Sequence, residues 1–238
     1  MDDKYNHTAL ITGASRGLGL ALARALAQKG WRLIIDARDA RALEASRSEL
    51  ARFTQITAIS GDISDSEHRA ELVKAAEKIG KLDVVVNNAS ILGSSPQHRL
   101  LDYPIHLLKQ VFNVNVFAPI GLIQEIHHTF TPSAVIINIT SDAAIEAYDG
   151  WGGYGSSKAA LEQLSAVLAV EYPQWHIYWV DPGDMRTQMQ QQAFPGEDIS
   201  DRPLPEISVP GLLALLEGQL PSGRYHARKV VEITDTVA

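Results

Sequence analysis

A tyrosine and a lysine, Tyr154 and Lys158, stand four positions apart in the chain. Residues at this spacing lie on the same face of a helix, so both side chains can enter one cleft. A tyrosine hydroxyl ionises at about pH 10 in water, and a neighbouring lysine cation favours the phenolate and lowers the tyrosine pKa. The pair is therefore predicted to exchange protons with a substrate, with Tyr154 as general acid or base.

A glycine-rich segment near the start of the chain has the composition of a phosphate-binding turn. The apolar run Thr8 to Thr12 leads into Gly13, Gly17 and Gly19, and an apolar helical pattern follows. Glycine lets a pyrophosphate approach the backbone, and the N–H groups and dipole at the helix start attract its charge. The segment lacks the Gly-Lys-Ser/Thr of a P-loop and predicts a dinucleotide site. Taken alone, the glycine spacing is also compatible with a tight turn that caps a helix.

Further polar or glycine-containing segments stand where later strands are predicted to end. Asn87 to Ala89 follow the fourth strand, Ser141 follows the fifth, and Pro182-Gly183 follows the sixth. In an open parallel sheet, ligands bind outside the carboxyl ends of the strands. These segments are therefore expected to converge on one crevice with the glycine-rich turn.

Taken together, these motifs resemble the single-domain branch of the short-chain dehydrogenase/reductase family over essentially the whole chain. The motifs that carry the resemblance are Thr12-Gly13-x-x-x-Gly17-x-Gly19, Asn87-Asn88-Ala89, Asn115, Ser141, Tyr154-x-x-x-Lys158 and Pro182-Gly183 with Thr187. The resemblance implies that Tyr154 transfers the proton and that Ser141 hydrogen-bonds the substrate oxygen. It also implies that Lys158 holds the nicotinamide ribose.

The fourth catalytic residue that the resemblance implies is an asparagine between Phe112 and Val116. We assign it to Asn115, because the small residue Ala118 follows it at the family's spacing, and Asn113 is the alternative. One position departs from the family pattern. Ser90 replaces the glycine that usually follows Asn-Asn-Ala and puts a side chain near the cofactor.

The residues at the end of the second strand predict the type of cofactor. An acid there binds the adenosine ribose and selects NAD, whereas arginine accommodates the 2′-phosphate of NADP. Asp36 looks like that acid, but the family's register places the discriminating position at Ala37, next to Arg38, with Arg16 in the glycine-rich turn. We therefore predict NADP(H) rather than NAD(H), the alternative being that both arginines are solvated surface charges. The cofactor-binding residues implied by the resemblance are Gly13, Ser15, Arg16, Gly17, Leu18, Gly19, Ala37, Arg38, Asp62, Ile63, Asn88, Ala89, Tyr154, Lys158, Pro182, Gly183 and Thr187.

The elements that must position these residues alternate between short apolar runs and helical patterns, which is typical of a parallel sheet built from βαβ units. Strands are predicted at Thr8–Thr12, Arg32–Asp36, Gln55–Ser60, Val84–Asn87, Ala134–Ile139, His176–Val180 and Lys229–Ile233. Helices are predicted at Leu18–Gly30, Ala40–Arg52, Ser66–Gly80, Ile105–Thr129, Gly155–Tyr172 and Gly211–Glu217. The predicted fold class is α/β, a Rossmann-like, doubly wound, seven-stranded parallel sheet in three α/β/α layers.

Length and composition predict one domain without thiol chemistry. The 238 residues contain no cysteine, which excludes disulfides, thiolate nucleophiles and metals bound by cysteine. We expect residues 1–238 to form a single NAD(P)-binding domain, with the irregular segment at about 184–210 as a substrate lid. The adjacent His127 and His128 are interpreted as helix surface, and no metal site is expected.

Charge and hydropathy indicate where the protein acts. The formal charge of −7 repels phosphate backbones, so nucleic acid is not expected as a partner. The polar N-terminal segment has no signal-peptide pattern, and no run approaches the roughly 20 apolar residues of a membrane span. A cytoplasmic protein without membrane contact is expected.

The predicted function is NADP(H)-dependent oxidoreduction, in which a hydride passes between the nicotinamide and a carbonyl or secondary-alcohol substrate. Asp142 and Asp184 favour a small polar substrate, although a solvated loop explains them equally well. The alternative is a non-enzymatic NADP(H)-binding sensor, a class that usually lacks the tyrosine or the lysine. A sugar-nucleotide epimerase of the longer branch is disfavoured, because such chains carry a larger substrate domain. The resemblance also implies a homodimer or homotetramer built on the two long predicted helices, Ile105–Thr129 and Gly155–Tyr172.

Overall fold

Seven strands form one parallel sheet in the computed structural model, which describes residues 7–217 and 220–230. They are β1 (Thr8–Ile11), β2 (Arg32–Ala37), β3 (Ile56–Ser60), β4 (Leu82–Asn87), β5 (Phe130–Ile139), β6 (His176–Asp181) and β7 (Gly223–His226). Their order across the sheet is β3-β2-β1-β4-β5-β6-β7. The order reverses between β1 and β4, which is where an open α/β sheet forms its ligand crevice. The structure confirms the predicted fold class.

Helices cover both faces of this sheet. They are α1 (Gly17–Gln28), α2 (Ala40–Leu50), α3 (Ser66–Ile79), α4 (Ile105–Phe112), α5 (Ala118–Ile126), α6 (Gly152–Glu171), α7 (Gln188–Ala193) and α8 (Val209–Leu216). Helices α1, α2 and α8 pack on one face, and α3, α5 and α6 pack on the other. Neighbouring strand residues serve opposite faces, since Ile11 belongs to the first core and Leu10 to the second. Burial on both faces explains why the central strands are apolar runs.

The seventh strand lies earlier in the chain than the sequence predicts. Gly223–His226 pair with β6, whereas the predicted strand Lys229–Ile233 begins in a helical segment at 227–230, and its last three residues lie outside the described residues. Strand β7 is at the edge of the sheet and is only half-buried, so it lacks the apolar run of a central strand. Ala227 and Val230 pack into the core from the helical segment instead.

A π-helical segment, Asn113–Phe117, interrupts the helix predicted at Ile105–Thr129, and the 3₁₀ turn His127–Thr129 ends it. Such π insertions are rare and occur often at functional sites. Here Asn115 is buried while Asn113 is exposed. The π segment therefore turns Asn115 into the protein interior, behind the end of β4.

The segment predicted as a lid contains short ordered elements. Helix α7 lies within it, and the 3₁₀ turn Pro205–Ser208 leads directly into α8. Thr187 caps α7, because its Oγ1 accepts a hydrogen bond from the Gln190 N–H at 3.2 Å. The segment is thus more regular than its composition predicts.

Candidate active site

A cleft of about 1020 Å³ runs along the carboxyl ends of the strands. Its walls contain every site residue predicted from the sequence except Gly19 and Asn115, which lie behind them. The glycine-rich turn and α7 approach each other across the cleft. Arg16 donates a hydrogen bond to Gln188 Oε1, and a Cβ on Gly17 would lie 3.6 Å from Thr187 Cγ2.

The glycine-rich turn fits closely against the end of β4. Gly13 has a φ of +67°, and a Cβ there would lie 2.9 Å from the Cα of Ala89. A Cβ on Gly19 would lie 2.6 Å from the Gly13 carbonyl oxygen. Neither position has room for a side chain, so these two glycines allow the turn to fold as it does.

The first turn of α1 is suited to an anion. Its N-cap residue, Arg16, makes no side-chain capping hydrogen bond, and the first turn contains no acidic residue. Backbone N–H groups and the helix dipole attract phosphate at such a helix start. Ser15, Arg16 and Leu18 line the cleft around it. The residues present therefore fit the pyrophosphate of a dinucleotide.

Asp36 supports the glycine-rich turn with both oxygens of its carboxylate. Oδ1 accepts a hydrogen bond from the Gly13 N–H at 2.8 Å, and Oδ2 lies 3.0 Å from Nε2 of His68. Both side chains are almost completely buried. The role of His68 could not be predicted, because a lone histidine 32 positions away in the chain gives no signal of this contact. Ala37 ends β2, and Arg38 follows on the exposed rim of the cleft.

The Asn-Asn-Ala segment after β4 binds the glycine-rich turn through hydrogen bonds. Thr12 Oγ1 accepts from the N–H groups of Asn88 and Ala89, each at 3.0 Å. Asn88 Nδ2 donates to the carbonyl oxygens of Thr12 at 2.8 Å and Gly13 at 3.1 Å. Asn88 therefore holds the shape of the cleft floor as well as lining it.

Asn115 connects the loop after β4 to helix α6. Its Oδ1 accepts from Ser90 Oγ at 3.1 Å and from the Ile91 N–H at 2.9 Å. Its Nδ2 donates to the Ile91 carbonyl oxygen at 2.9 Å and to Ser157 Oγ at 3.0 Å. The exposed Asn113 makes no comparable contact among the described residues. Of the two candidate asparagines, Asn115 is thus the one placed beside the site.

Tyr154 and Lys158 enter the cleft from the first turns of α6. Lys158 Nζ donates a hydrogen bond to the Ile139 carbonyl oxygen at 2.8 Å and lies 5.5 Å from the centre of the Tyr154 ring. The Ser90 and Ser141 hydroxyls are close enough to the Tyr154 hydroxyl to oppose the effect of burial on its pKa. Three hydroxyl groups and an amine therefore meet where β4, β5 and α6 come together.

Burial shifts both pKa values toward the neutral forms of the side chains. It lowers the pKa of Lys158 to about 7, against the opposing charge of Glu162. It raises the pKa of Tyr154 well above its usual value, although the Ser90 hydroxyl opposes the rise. Burial therefore acts on the Tyr154 pKa in the direction opposite to the lowering predicted from Lys158, and that lowering stays a prediction.

Ser141 follows β5 and starts a 3₁₀ turn, Asp142–Ala144. Its Oγ donates to Asp142 Oδ1 at 2.8 Å and accepts from the Ala143 N–H at 3.2 Å. The Tyr148 hydroxyl, with one hydrogen to donate, lies 2.7 Å from Glu146 Oε2 and 3.0 Å from Asp142 Oδ2. These contacts fix the Ser141 hydroxyl next to Tyr154 and engage Oδ1 of the Asp142 carboxylate.

The wall beside Tyr154 is apolar. Leu92 and Ala143 are buried with Tyr154, and Trp151, Met189 and Ala193 pack against this cluster. The Trp151 ring meets the Tyr154 ring edge-on at 5.8 Å. The prediction of a polar substrate rested on Asp142, which has the partners described above, and on Asp184, whose carboxylate lies 4.0 Å from Arg202. Both residues are exposed at the cleft, so the polar substrate stays a prediction beside this apolar wall.

A family model described as short chain dehydrogenase matches residues 7–198, which is most of the chain. The chain belongs to the short-chain dehydrogenase family. Members of this family are oxidoreductases that bind a nicotinamide cofactor. The resemblance found in the sequence motifs is confirmed.

Similar proteins include a reductase, a dehydrogenase and a solved structure with cofactor. The chain is 37% identical over 177 residues to a rhamnolipid-biosynthesis 3-oxoacyl-acyl-carrier-protein reductase from Pseudomonas aeruginosa, covering 71% of this chain and 68% of that protein. It is 32% identical over 209 residues to 2-(R)-hydroxypropyl-CoM dehydrogenase from Xanthobacter autotrophicus, covering 85% and 84%. A short chain dehydrogenase from Shigella flexneri complexed with NADP has a TM-score of 0.88 at 26% identity, covering 94% of this chain and 98% of that chain.

Membrane-spanning helices and groups of metal ligands are both absent from the described part of this short-chain dehydrogenase. Within residues 7–217 and 220–230, no helix has the length and apolar character needed to cross a membrane. The same residues bring together no group of three or more histidine or acidic side chains that could hold a metal ion. His127 and His128 are exposed, and His128 Nε2 lies 2.9 Å from Glu77 Oε1.

Proposed function

We propose that the protein interconverts a carbonyl compound and a secondary alcohol with NADP(H), with Tyr154 as general acid and base. The observation that carries this proposal is the meeting of the Tyr154 and Ser141 hydroxyls with the Lys158 amine in the cleft that contains the glycine-rich turn. A carbonyl group that receives a hydride becomes an alkoxide, which needs a hydrogen-bond donor and a proton. In this proposal the Ser141 hydroxyl supplies the hydrogen bond and the Tyr154 hydroxyl supplies the proton.

Each side chain has a distinct part in this proposal. The nicotinamide, when bound, supplies or accepts the hydride. Ser141 orients the substrate oxygen, and Tyr154 donates the proton in reduction and takes it in oxidation. Lys158, held by the Ile139 carbonyl oxygen, binds the ribose of the cofactor and adjusts the charge beside Tyr154. Asn115 keeps the loop after β4 in place against α6.

The cofactor assigned in this proposal is NADP(H). Both oxygens of Asp36 have protein partners, so this residue is not available as a ribose-binding acid. Ala37 leaves space at the end of β2, and Arg16 and Arg38 line the same part of the cleft. The residues that would hold the cofactor are those of the glycine-rich turn with Ala37-Arg38, Asp62-Ile63, Asn88-Ala89, Pro182-Gly183 and Thr187.

The apolar wall at Trp151 and Met189 favours a substrate with an apolar group beside its carbonyl carbon. Residues 184–210 would close over it as a lid, which would exclude water from the hydride transfer. A homo-oligomer is part of the proposal. Val167 and Val170 on α6 expose apolar surface that a second copy would cover.

The test is NADPH oxidation in the presence of ketones and aldehydes whose substituents range from apolar to charged. Tyr154→Phe should reduce kcat by about a thousand-fold or more while leaving NADPH binding within a few-fold. Tyr172→Phe, which removes the hydroxyl of a tyrosine at the end of α6, is the matched control and should keep full activity. NADPH binding without turnover of any carbonyl compound would support the sensor alternative. Full activity in Tyr154→Phe would refute the assigned mechanism.

A further inference from the structure

Arg224, on the edge strand β7, reaches three elements that support the catalytic side chains. Its Nε donates to Glu162 Oε1 on α6 at 3.0 Å. Its Nη2 donates to the carbonyl oxygen of Ser141 at 3.1 Å and lies 3.6 Å from Asp181 Oδ2 at the end of β6. The two carboxylate side chains are only 12% and 8% exposed, and that of Arg224 is 27% exposed. One guanidinium therefore joins α6 to the ends of β5 and β6 in a mostly enclosed position.

Both carboxylates bonded to Arg224 also hold backbone segments of the site. Glu162 Oε1 accepts a second hydrogen bond from Thr140 Oγ1 at 2.7 Å, just before Ser141 in the chain. Asp181 Oδ1 accepts from the Gly183 N–H at 2.8 Å, where the predicted lid begins. A planar guanidinium with several fixed donors is suited to such a junction, and a lysine ammonium is not. These contacts fix the backbone of Ser141 and, with it, the position of the Ser141 hydroxyl.

The same carboxylates act electrostatically on the acid–base pair. Glu162 lies one helical turn after Lys158 and opposes the lowering of the Lys158 pKa by burial. Asp181 adds to the rise of the Tyr154 pKa that burial causes. Arg224 offsets the charges of both carboxylates at close range.

We propose that Arg224 is a positioning residue for the reaction, which fixes the backbone at Ser141 and neutralises Glu162 and Asp181 beside the catalytic pair. This inference rests on the proposed function, since it assigns Arg224 a part in proton transfer by Tyr154. The charged and titratable groups around the pair are Asp142, Asp181 and Glu162 with Arg224 itself.

Removal of the Arg224 cation should change the pKa values of Lys158 and Tyr154 in the same direction. The two carboxylates then act without a counter-charge, and nearby negative charge favours the lysine ammonium and disfavours the tyrosine phenolate. Both pKa values must move upward. If Arg224 served folding alone, its replacement would lower the stability of the protein without shifting these pKa values.

The experiment compares Arg224→Gln with the parent enzyme in carbonyl reduction over a range of pH. We expect kcat to fall about ten-fold or more, because the Ser141 backbone loses its donor. We also expect the alkaline limb of the pH profile to move upward by about half a pH unit or more. Arg224→Lys, which keeps the charge, should keep the limb in place while losing activity. Arg47→Gln, which breaks an exposed pair with Glu44 on α2, is the control and should change neither property.

A second measurement does not depend on turnover. NMR of lysine labelled at its ε-carbon follows the titration of Lys158, identified by the signal that Lys158→Met removes. We expect Arg224→Gln to raise this midpoint and the double variant Arg224→Gln/Glu162→Gln to return it toward the parent value. An unmoved midpoint and an unmoved pH limb, with a lower melting temperature, would overturn the proposal. A raised midpoint in a protein that turns over no carbonyl compound would refute the proposed function and leave the electrostatic part of this inference standing.

Discussion

Replacing Arg38 by glutamine should weaken the reaction with NADPH and leave the reaction with NADH almost unchanged. Arg38 follows β2 on the exposed rim of the cleft that contains the glycine-rich turn. Asp36, one residue before Ala37, binds the Gly13 N–H and His68 with its two oxygens. An acid committed in this way does not hold a ribose, and the cation that follows it suits a phosphate on that ribose.

The size of the effect follows from the exposure of Arg38. A hydrogen bond to a charged group contributes about 1.5–3 kcal/mol when enclosed, and an exposed ion pair about 1 kcal/mol or less. Arg38 is exposed and also faces the Asp62 carboxylate, so an intermediate value of about 1–2 kcal/mol is appropriate. At about 1.4 kcal/mol per factor of ten, kcat/KM with NADPH should fall about 5- to 30-fold.

The assay measures kcat/KM with NADPH and with NADH, on one carbonyl substrate and at one salt concentration. Arg52→Gln removes an equal charge just beyond the C-terminal end of α2 and should change the NADPH-to-NADH ratio by less than about two-fold. Adding Ala37→Asp to Arg38→Gln should reverse the preference, because the new carboxylate repels a 2′-phosphate and accepts hydrogen bonds from ribose hydroxyls. An unchanged ratio in Arg38→Gln would refute the argument.

Three further changes test the site. Ser90→Gly, which restores the family's residue, removes a hydroxyl that opposes the rise of the Tyr154 pKa. It should lower kcat about three- to ten-fold and move the alkaline limb of the pH profile upward, as steady-state kinetics would show. Asp36→Ala leaves His68 buried without its partner and should lower the free energy of unfolding by about 3–5 kcal/mol in urea denaturation, where a loss below about 1 kcal/mol would contradict it. The Lys158 pKa is about 7 in the folded protein and 10.5 ordinarily, so the unfolded chain binds the extra proton between these values. Stability should therefore rise with pH across that window in the parent protein, and the rise should be absent in Lys158→Met by thermal denaturation.

Much of the fold could be predicted because central parallel strands and their covering helices leave strong patterns in sequence. The strand at Arg32–Ala37 has an apolar centre, Leu33 to Ile35, since helices cover both of its faces. Edge strand β7 leaves no such pattern, and the strand was predicted instead at Lys229–Ile233, where Val230 packs into the core from a helical segment. The π segment was equally hidden, because one extra residue in a turn does not alter helical periodicity enough to be recognised.

The members of the site could be predicted better than its electrostatics. Tyr154 and Lys158 were found because a fixed spacing on one helix brings them together. The direction of the Tyr154 pKa shift depends on burial by distant segments, and no local pattern records it. His68 and Arg224 were missed for the same reason, since each reaches its partners across tens of residues of chain.

The two opposite pKa shifts at the site have one main cause, the burial of both side chains. Burial favours the neutral phenol of Tyr154 and a Lys158 that is only about half charged near neutral pH, because its pKa is about 7. A neutral phenol donates a proton and does not accept one, which is what the alkoxide formed in carbonyl reduction requires. Alcohol oxidation requires the phenolate, whose formation burial and Asp181 oppose. In the proposed mechanism, burial thus favours the protonation state of Tyr154 that carbonyl reduction uses, and the Arg224 cation, by offsetting Asp181, opposes this effect.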